Sequence, residues 1–552
     1  MAKSKTLFNT SENSNFILNM TEETYTKIAS WGLFAACLTV PLLTIFPEIN
    51  DSHSYNLSTI GLTISGVYCL ITALIAIVKK YVKKGVLLPV LAFSFLIAWS
   101  VISVLDSYDR TTGLKGYPQR GEGLLSTMYY FGFFVTGLSL KRDKALKTVI
   151  YGILASGWLN SVLAMIQIFH KNHEPSHYRL ISPLFYFAAS GLAHSPMFLG
   201  ILLAICLTAA LTTAVTCDSN KLRIFCIVSS ALFAFVSIFT FNSLSVIGMI
   251  FAGVACLAAL IIKKAPVLRA LIILVPAAAA GLSVLTVNHT TYSFHEYKFH
   301  DALILWSGDS YQRIGASGLY DTRVLDMDDN SAIYSHLNKK AFDIMKEYPA
   351  TGTGPEQLVY PQIYTVRNPL GGKLDTMEDI ITMNVGVFDK NYNEYLYIGA
   401  TRGVPSMAAL IVLMLSALGA GAFIMKKRRT SENICLFFTA LCGGLAFIIC
   451  CSSIAYASLV WIALGASCAD IDKIHEAAKT ASGKESKKAP EKKKNSEGKN
   501  PSAEKTVSEK KSADNSSKKT AETGKKPSGE PEKKSGDKNS KKNSGKKSSK
   551  KK

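Results

Sequence analysis

Long uncharged apolar runs recur through the first 470 residues, separated by short polar stretches. A run of about 18 apolar residues or more reads as a membrane helix, because about 20 residues at a 1.5 Å rise cross the hydrocarbon core. The pattern predicts about twelve spans, at 26–46, 57–78, 86–105, 124–140, 148–169, 196–216, 224–241, 243–262, 268–287, 404–425, 433–450 and 453–469. Residues 1–24 are polar, and the first apolar run continues without a small-residue cleavage site, so it reads as a span and not as a cleaved signal. One long polar interval, from Asn288 to Tyr395, breaks the series before the tenth span.

The predicted fold class is therefore an all-α polytopic membrane protein. Its expected organisation is a cytoplasmic N-terminus at 1–25, spans one to nine within 26–287, an external loop domain at 288–403, spans ten to twelve within 404–470, and a cytoplasmic tail at 471–552. Lys and Arg in short loops mark the cytoplasmic side. Such residues follow spans two (Lys79, Lys80, Lys83, Lys84), four (Lys141, Arg142, Lys144, Lys147), six (Lys221, Arg223), eight (Lys263, Lys264, Arg269) and ten (Lys426, Lys427, Arg428, Arg429). Every even-numbered exit is basic, which places both termini inside and the Asn288–Tyr395 interval outside. The expected location is a bacterial cytoplasmic (inner) membrane.

The net charge of +21 changes this picture little. From Ala481 to Lys552 there are 24 lysines against 10 acidic residues, so +14 of the total sits in the tail. That distribution belongs to membrane topology, and no nucleic-acid partner is expected. The tail has almost no aliphatic or aromatic residues and is expected to be disordered, with anionic inner-leaflet lipid as its expected partner. The eleven cysteines lie in or beside apolar runs and none lies between Asn288 and Tyr395, so they read as small apolar residues and not as a disulfide framework.

Candidate chemistry concentrates in three external stretches. The first is Gly116-Tyr117-Pro118-Gln119-Arg120-Gly121-Glu122-Gly123-Leu124, entering span four. The second is Tyr348-Pro349-Ala350-Thr351-Gly352-Thr353-Gly354-Pro355-Glu356-Gln357-Leu358, after a helical pattern from Ala332 to Lys346. The third is Phe388-Asp389-Lys390-Asn391-Tyr392-Asn393-Glu394-Tyr395-Leu396, leading to Arg402-Gly403-Val404-Pro405 at the mouth of span ten. The acidic pair in Asp326-Met327-Asp328-Asp329 reads as a solvated turn, and no metal is expected. His173, His177 and His194 are external and read as structural or surface residues.

In order, spacing and sidedness these stretches resemble the O-antigen ligase and polymerase superfamily, the lipid-linked glycan transferases of bacterial envelopes. That family carries "G-x-x-x-R-x-x-G-L", as at Gly116 to Leu124, and "P-x-x-G-x-G-P", as at Pro349 to Pro355. It then carries "D-K-x-H-N-E-Y-L", as at Asp389 to Leu396, and "G-x-x-x-N-P-N-x-x-G", to which Gly191 to Gly200 is similar. The resemblance covers roughly 26–470 and implies a GT-C-like fold with a large external loop late in the chain. It implies a polyprenyl-diphosphate-linked glycan as donor, an envelope glycan or polymer as acceptor, and no cofactor. The departures are specific. Tyr392 stands where the family has His, Ser243-Leu244 where it has Ser-Arg, and no Arg lies between Val324 and Val366 where it places one.

A diphosphate leaving group needs cations, and arginine binds phosphate oxygens bidentately. The external cations include Arg120, Arg179, Arg313, Arg323, Arg367, Lys373, Lys390 and Arg402. The expected donor contacts are Arg120, Arg367, Lys390 and Arg323. Tyr392, at the family's His position, and Glu394 are the expected groups at the acceptor hydroxyl. A phenol titrates near 10, so Tyr392 is expected to orient a hydroxyl and not to deprotonate it. Two other readings accompany this one: a catalytically silent relative that binds a glycan lipid or scaffolds an envelope complex, and a transporter or flippase.

Overall fold

The computed structural model describes residues 20–42, 57–116, 121–169, 189–193, 195–240, 242–289, 327–358 and 390–469. The chain separates into two compact units, Met1–Lys488 and Ala489–Lys552, and every described residue lies in the first.

The described elements are helical. They are α1 Glu22–Leu42, α2 Leu57–Val78, α3 Leu87–Leu105, α4 Arg110–Lys115, α5 Leu124–Leu138, α6 Asp143–Phe169, α7 Pro196–Thr216, α8 Asn220–Ile238, α9 Ser243–Lys263, α10 Leu274–His289, α11 Met327–Glu347, α12 Glu394–Arg402, α13 Val404–Arg428, α14 Ser431–Ile449 and α15 Ile454–Ser467, with 3₁₀ segments at Lys84–Val86 and Val267–Ile273. Among the described residues nine helices are long and apolar enough to cross a membrane. The first predicted span coincides with α1, which falls outside that set, and the fourth and twelfth with α5 and α15, which have 15 and 14 residues. At a 1.5 Å rise these two reach about 21 to 23 Å, short of a hydrocarbon core of about 30 Å. The ninth predicted span, 268–287, begins within the 3₁₀ segment Val267–Ile273 and continues as α10. The expected helix from Ala332 to Lys346 is α11, and it stops before Pro349.

The centre is built from α7 and α15. Every residue of α15 is buried, and α7 is buried on nearly all sides between α6, α8, α9, α14 and α15. A buried hydroxyl on a helix enclosed in this way costs about 1 to 3 kcal/mol if it is orphaned. Thr208, Thr212 and Thr216 avoid that cost by donating to the carbonyls of Ala204, Thr208 and Thr212 at 2.8, 2.6 and 2.6 Å, whereas Thr213 Oγ1 has no hydrogen-bond partner among the described residues. Close packing of α15 on α5 follows from small residues: a Cβ on Gly465 would lie 2.2 Å from the Phe134 carbonyl oxygen. The outer faces of the bundle carry exposed aliphatics such as Ile64, Leu91, Ile250 and Ile261, as expected where hydrocarbon is the solvent. All eleven cysteines are buried free thiols.

The five basic loops gather at one end. Lys141 lies 3.1 Å from Glu22 and over the Tyr81 ring at 4.5 Å. Arg428 pairs with Asp143 at 3.1 Å, and Lys147 with Glu432 at 3.3 Å. Thr216 and Ser431 share a 2.7 Å hydrogen bond, and Arg269 donates to the carbonyl of Val215 at 2.9 Å. The alternation read from the sequence thus corresponds to a physical clustering of those loops.

Candidate functional site

The opposite end holds a buried charged cluster assembled from the three singled-out stretches. Its first wall is the entry to α5. Gly116, at φ +82°, and Gly123 pass backbone against backbone, and a Cβ on Gly123 would lie 2.4 Å from the Gly116 nitrogen. That crossing sets Glu122 directly before α5, with its side chain turned inward and 6 % exposed.

The second wall is the turn after α11. Its backbone caps the carbonyl end of α12: Thr353 N–H donates to Ala400 O at 3.1 Å and Gly354 N–H to Thr401 O at 2.8 Å. Val404 N–H in turn donates to Pro349 O at 2.9 Å. Contact this close requires glycine on both sides. A Cβ on Gly352 would lie 2.4 Å from the Thr401 carbonyl carbon, and one on Gly403 would lie 2.0 Å from the Ala350 carbonyl oxygen; both have positive φ. The Gln357 side chain grips the Asp109 backbone by accepting from its N–H at 2.9 Å and donating to its carbonyl. Between these anchors Glu356 is held at φ +63°, a left-handed conformation that costs a non-glycine residue about 1 kcal/mol or more. The strain aims its carboxylate into the cluster. The turn faces the bundle, with Gln357 on Asp109 and Glu356 in the cluster.

The third wall is Lys390 to Arg402, with Ser452 at the start of α15 closing the side. Lys390 Nζ donates to Glu122 Oε2 and to the Ser452 carbonyl (3.0 Å), lies 3.6 Å from Glu356, and sits over the Tyr397 ring at 5.4 Å. Ser452 Oγ donates to Glu122 Oε1 at 2.7 Å, and its N–H donates to Glu394 Oε2 at 2.8 Å. Tyr397 OH donates to Glu356 Oε1 at 2.8 Å, and Tyr130 OH to Glu122 Oε1 at 3.4 Å. Arg402 Nη1 donates to Thr127 Oγ1 at 2.8 Å and Ser100 Oγ at 3.4 Å, and its Nε has no hydrogen-bond partner. Phe93, Phe447 and Trp461 form an apolar floor, with Phe93 and Trp461 rings 4.8 Å apart. The enclosed space is about 30 Å³, room for about one water.

Three carboxyls and two cations leave one excess negative charge in a desolvated site. Burial first, and then the Glu122 charge, push the Glu394 carboxyl up to about 7, against the opposing pull of Lys390. Glu394 therefore exchanges a proton near neutrality. Taking such charges out of water costs several kcal/mol per ion, so a cluster of this kind is better explained by function than by stability.

Of the residues singled out in the sequence, Lys390 and Glu394 belong to the cluster. Tyr392 does not line it; its side chain is 36 % exposed at the surface. Arg120, Arg323 and Arg367 lie outside the described residues, as do His173, His177, His194 and Asp326. Among the described residues no group of His, Cys, Asp and Glu is placed to hold a metal. Glu122, Glu356, Arg402 and Ser452 were not singled out as site residues. A usable signal was present for two of them: Glu122 and Arg402 each stand two residues before a predicted span, where a charge is costly unless it turns into the protein.

Searches against protein-family models and curated proteins returned no match.

Proposed function

We propose that the chain is an envelope glycan transferase of the O-antigen-ligase type, moving glycan from a polyprenyl-diphosphate donor to an envelope acceptor. The observation that carries this reading is the convergence of three stretches, each resembling a motif of that superfamily, on the cluster of Glu122, Glu356, Lys390, Glu394 and Arg402. On this reading the fold is GT-C-like with about twelve spans. The basic-loop end faces the cytoplasm, both termini are inside, and the cluster lies at the outer face of a bacterial cytoplasmic membrane.

The roles divide by chemistry. Among the described residues Arg402 is the cation best placed for a diphosphate oxygen, because its Nη1 is engaged by hydroxyls only and its Nε has no hydrogen-bond partner. Lys390 is held among carboxylates and organises the cluster. Glu394 takes the acceptor hydroxyl's proton as the new glycosidic C–O bond forms and the bond to the diphosphate oxygen breaks, a task suited to a group titrating near neutrality. Tyr392, at the family's histidine position, stands at the rim and orients the acceptor.

The test compares envelope glycans of wild type, a deletion strain and strains carrying Arg402→Gln or Glu394→Gln at equal protein level, by mass spectrometry. Loss of one glycan product in all three is expected. An unchanged glycan profile in the deletion strain sinks the proposal. A second reading, a silent relative that binds a glycan lipid, is favoured by the small enclosed volume and by the neutralised Lys390. It predicts retained glycan-lipid binding with no product to lose.

A further inference from the structure

The basic-loop end contains a second cavity, of about 460 Å³, unrelated to the cluster above. It lies where six helices begin or end: α6, α8 and α14 begin there, and α7, α9 and α13 end there. Its lining includes Lys147, Lys263, Arg428 and Arg429 against Asp143, Asp218 and Glu432. Two of the acids are already matched, Glu432 by Lys147 at 3.3 Å and Asp143 by Arg428 at 3.1 Å. Among the described residues Lys263 and Arg429 make no ion pair, nor does Asp218; Lys263 is half-buried, while Arg429, which donates through Nε to the Lys426 carbonyl at 3.4 Å, is exposed like Asp218. The volume is that of a small-molecule site, not of a packing defect.

Three features give this cavity a preference for an anion. Lys263 and Arg429, two cations without a carboxylate partner among the described residues, stand on its wall against one such acid, Asp218. The N-terminal ends of α6, α8 and α14 present the positive ends of their backbone dipoles at it. The neighbouring loops add Lys144, Lys221, Arg223, Lys264, Lys426 and Lys427. The carbonyl ends that would oppose an anion are partly covered: Arg269 donates to Val215 O at 2.9 Å and Arg223 to Cys217 O at 2.8 Å. Beside the cavity the bundle surface is apolar and open, with Ile224, Phe225 and Val228 on α8 and Ile261 on α9 exposed. A charged recess bordered by a lipid-facing apolar wall suits a molecule that is anionic at one end and hydrocarbon at the other.

We infer that this cavity is a binding site for the phosphate of an anionic phospholipid headgroup, held by Lys263 and Arg429, with the acyl chains against α8 and α9. The headgroup depth follows from the cavity's place at the helix ends. Its assignment to the inner leaflet rests on the orientation proposed above, but its chemistry does not. Basic recesses between membrane helices take anionic headgroups by the same logic.

The test uses the full chain in detergent and native mass spectrometry with added phosphatidylglycerol or phosphatidylcholine. Preferential retention of phosphatidylglycerol is expected. At about 1 kcal/mol for each cation removed, Lys263→Gln with Arg429→Gln should weaken the first bound lipid about thirtyfold. Lys79→Gln with Lys80→Gln, which removes equal charge from a different loop, should leave it unchanged and so controls for general attraction by the basic end. Lys263→Arg with Arg429→Lys should restore binding, which separates loss of charge from loss of fold. Equal retention of the two lipids, or equal weakening by both glutamine pairs, overturns the inference. Displacement of the lipid by millimolar inorganic phosphate would reassign the site to free phosphate compounds and refute the lipid assignment. Since no glycan is measured, failure here leaves the transferase proposal standing, and the reverse also holds.

Discussion

Glu394→Gln should make the protein more stable at alkaline pH while leaving its stability in acid unchanged. The side chain keeps its size, and the amide oxygen still accepts the Ser452 N–H that Glu394 Oε2 accepts at 2.8 Å. What changes is titration. Burial, assisted by Glu122, raises this carboxyl from 4.5 to about 7, so the folded protein keeps a proton that the unfolded chain has lost. The stabilising contribution is complete below about pH 4.5 and is lost as pH rises through about 7, because over that window the native state binds more protons than the unfolded one. At about 1.4 kcal/mol per pH unit, the full window is worth about 3 kcal/mol. Unfolding of the detergent-solubilised protein, followed by tryptophan fluorescence, should show wild-type stability falling between about pH 5 and about pH 8. The Gln variant should follow a flatter curve that meets the wild type in acid and lies above it in base. Other groups titrate in the same range, so the difference between the two curves is the quantity to read. Parallel curves would refute both the perturbed carboxyl and its assignment as the proton acceptor.

Lys390→Met should destabilise the protein by about 3 to 5 kcal/mol, since Glu122 and Glu356 would keep buried charges without their cation; adding Glu122→Gln should recover part of that loss in the same unfolding assay, and additive losses would contradict the pairing. Gly403→Ala should lower the melting temperature sharply and reduce folded yield, because a Cβ there meets the Ala350 carbonyl oxygen at 2.0 Å and φ is +84°; an unchanged melting temperature would show that the turn does not pack on α12 as described. Impermeant thiol labelling of intact cells should reach a cysteine engineered at position 340 and not one at position 475, and the opposite pattern would invert the proposed orientation.

The helices were legible because each carries its own evidence. Pro196 to Thr216 is uncharged without interruption and is helical over that whole stretch, and the span predicted at 57–78 corresponds to Leu57–Val78. Ends moved where capping outweighs hydropathy: α8 begins at Asn220, four residues before the apolar run, because Ser219 accepts from Leu222 N–H and starts the helix in the polar loop. The site was legible only in part, and for a different reason. Motif spacing pointed to the stretches but not to which side chains turn inward. Tyr392 and Glu394 are two residues apart, yet the cap at Asn393, whose side chain accepts from Leu396 N–H, starts α12 between them. That change from extended chain to helix leaves Tyr392 at the surface and turns Glu394 into the cluster. Glu356 was hidden more thoroughly, because its inward direction depends on a left-handed backbone that a glutamate does not advertise. Local pattern therefore locates a membrane-mouth site, while the choice of acting residues is made by backbone turns, where a difference of one position exchanges a rim residue for a buried one.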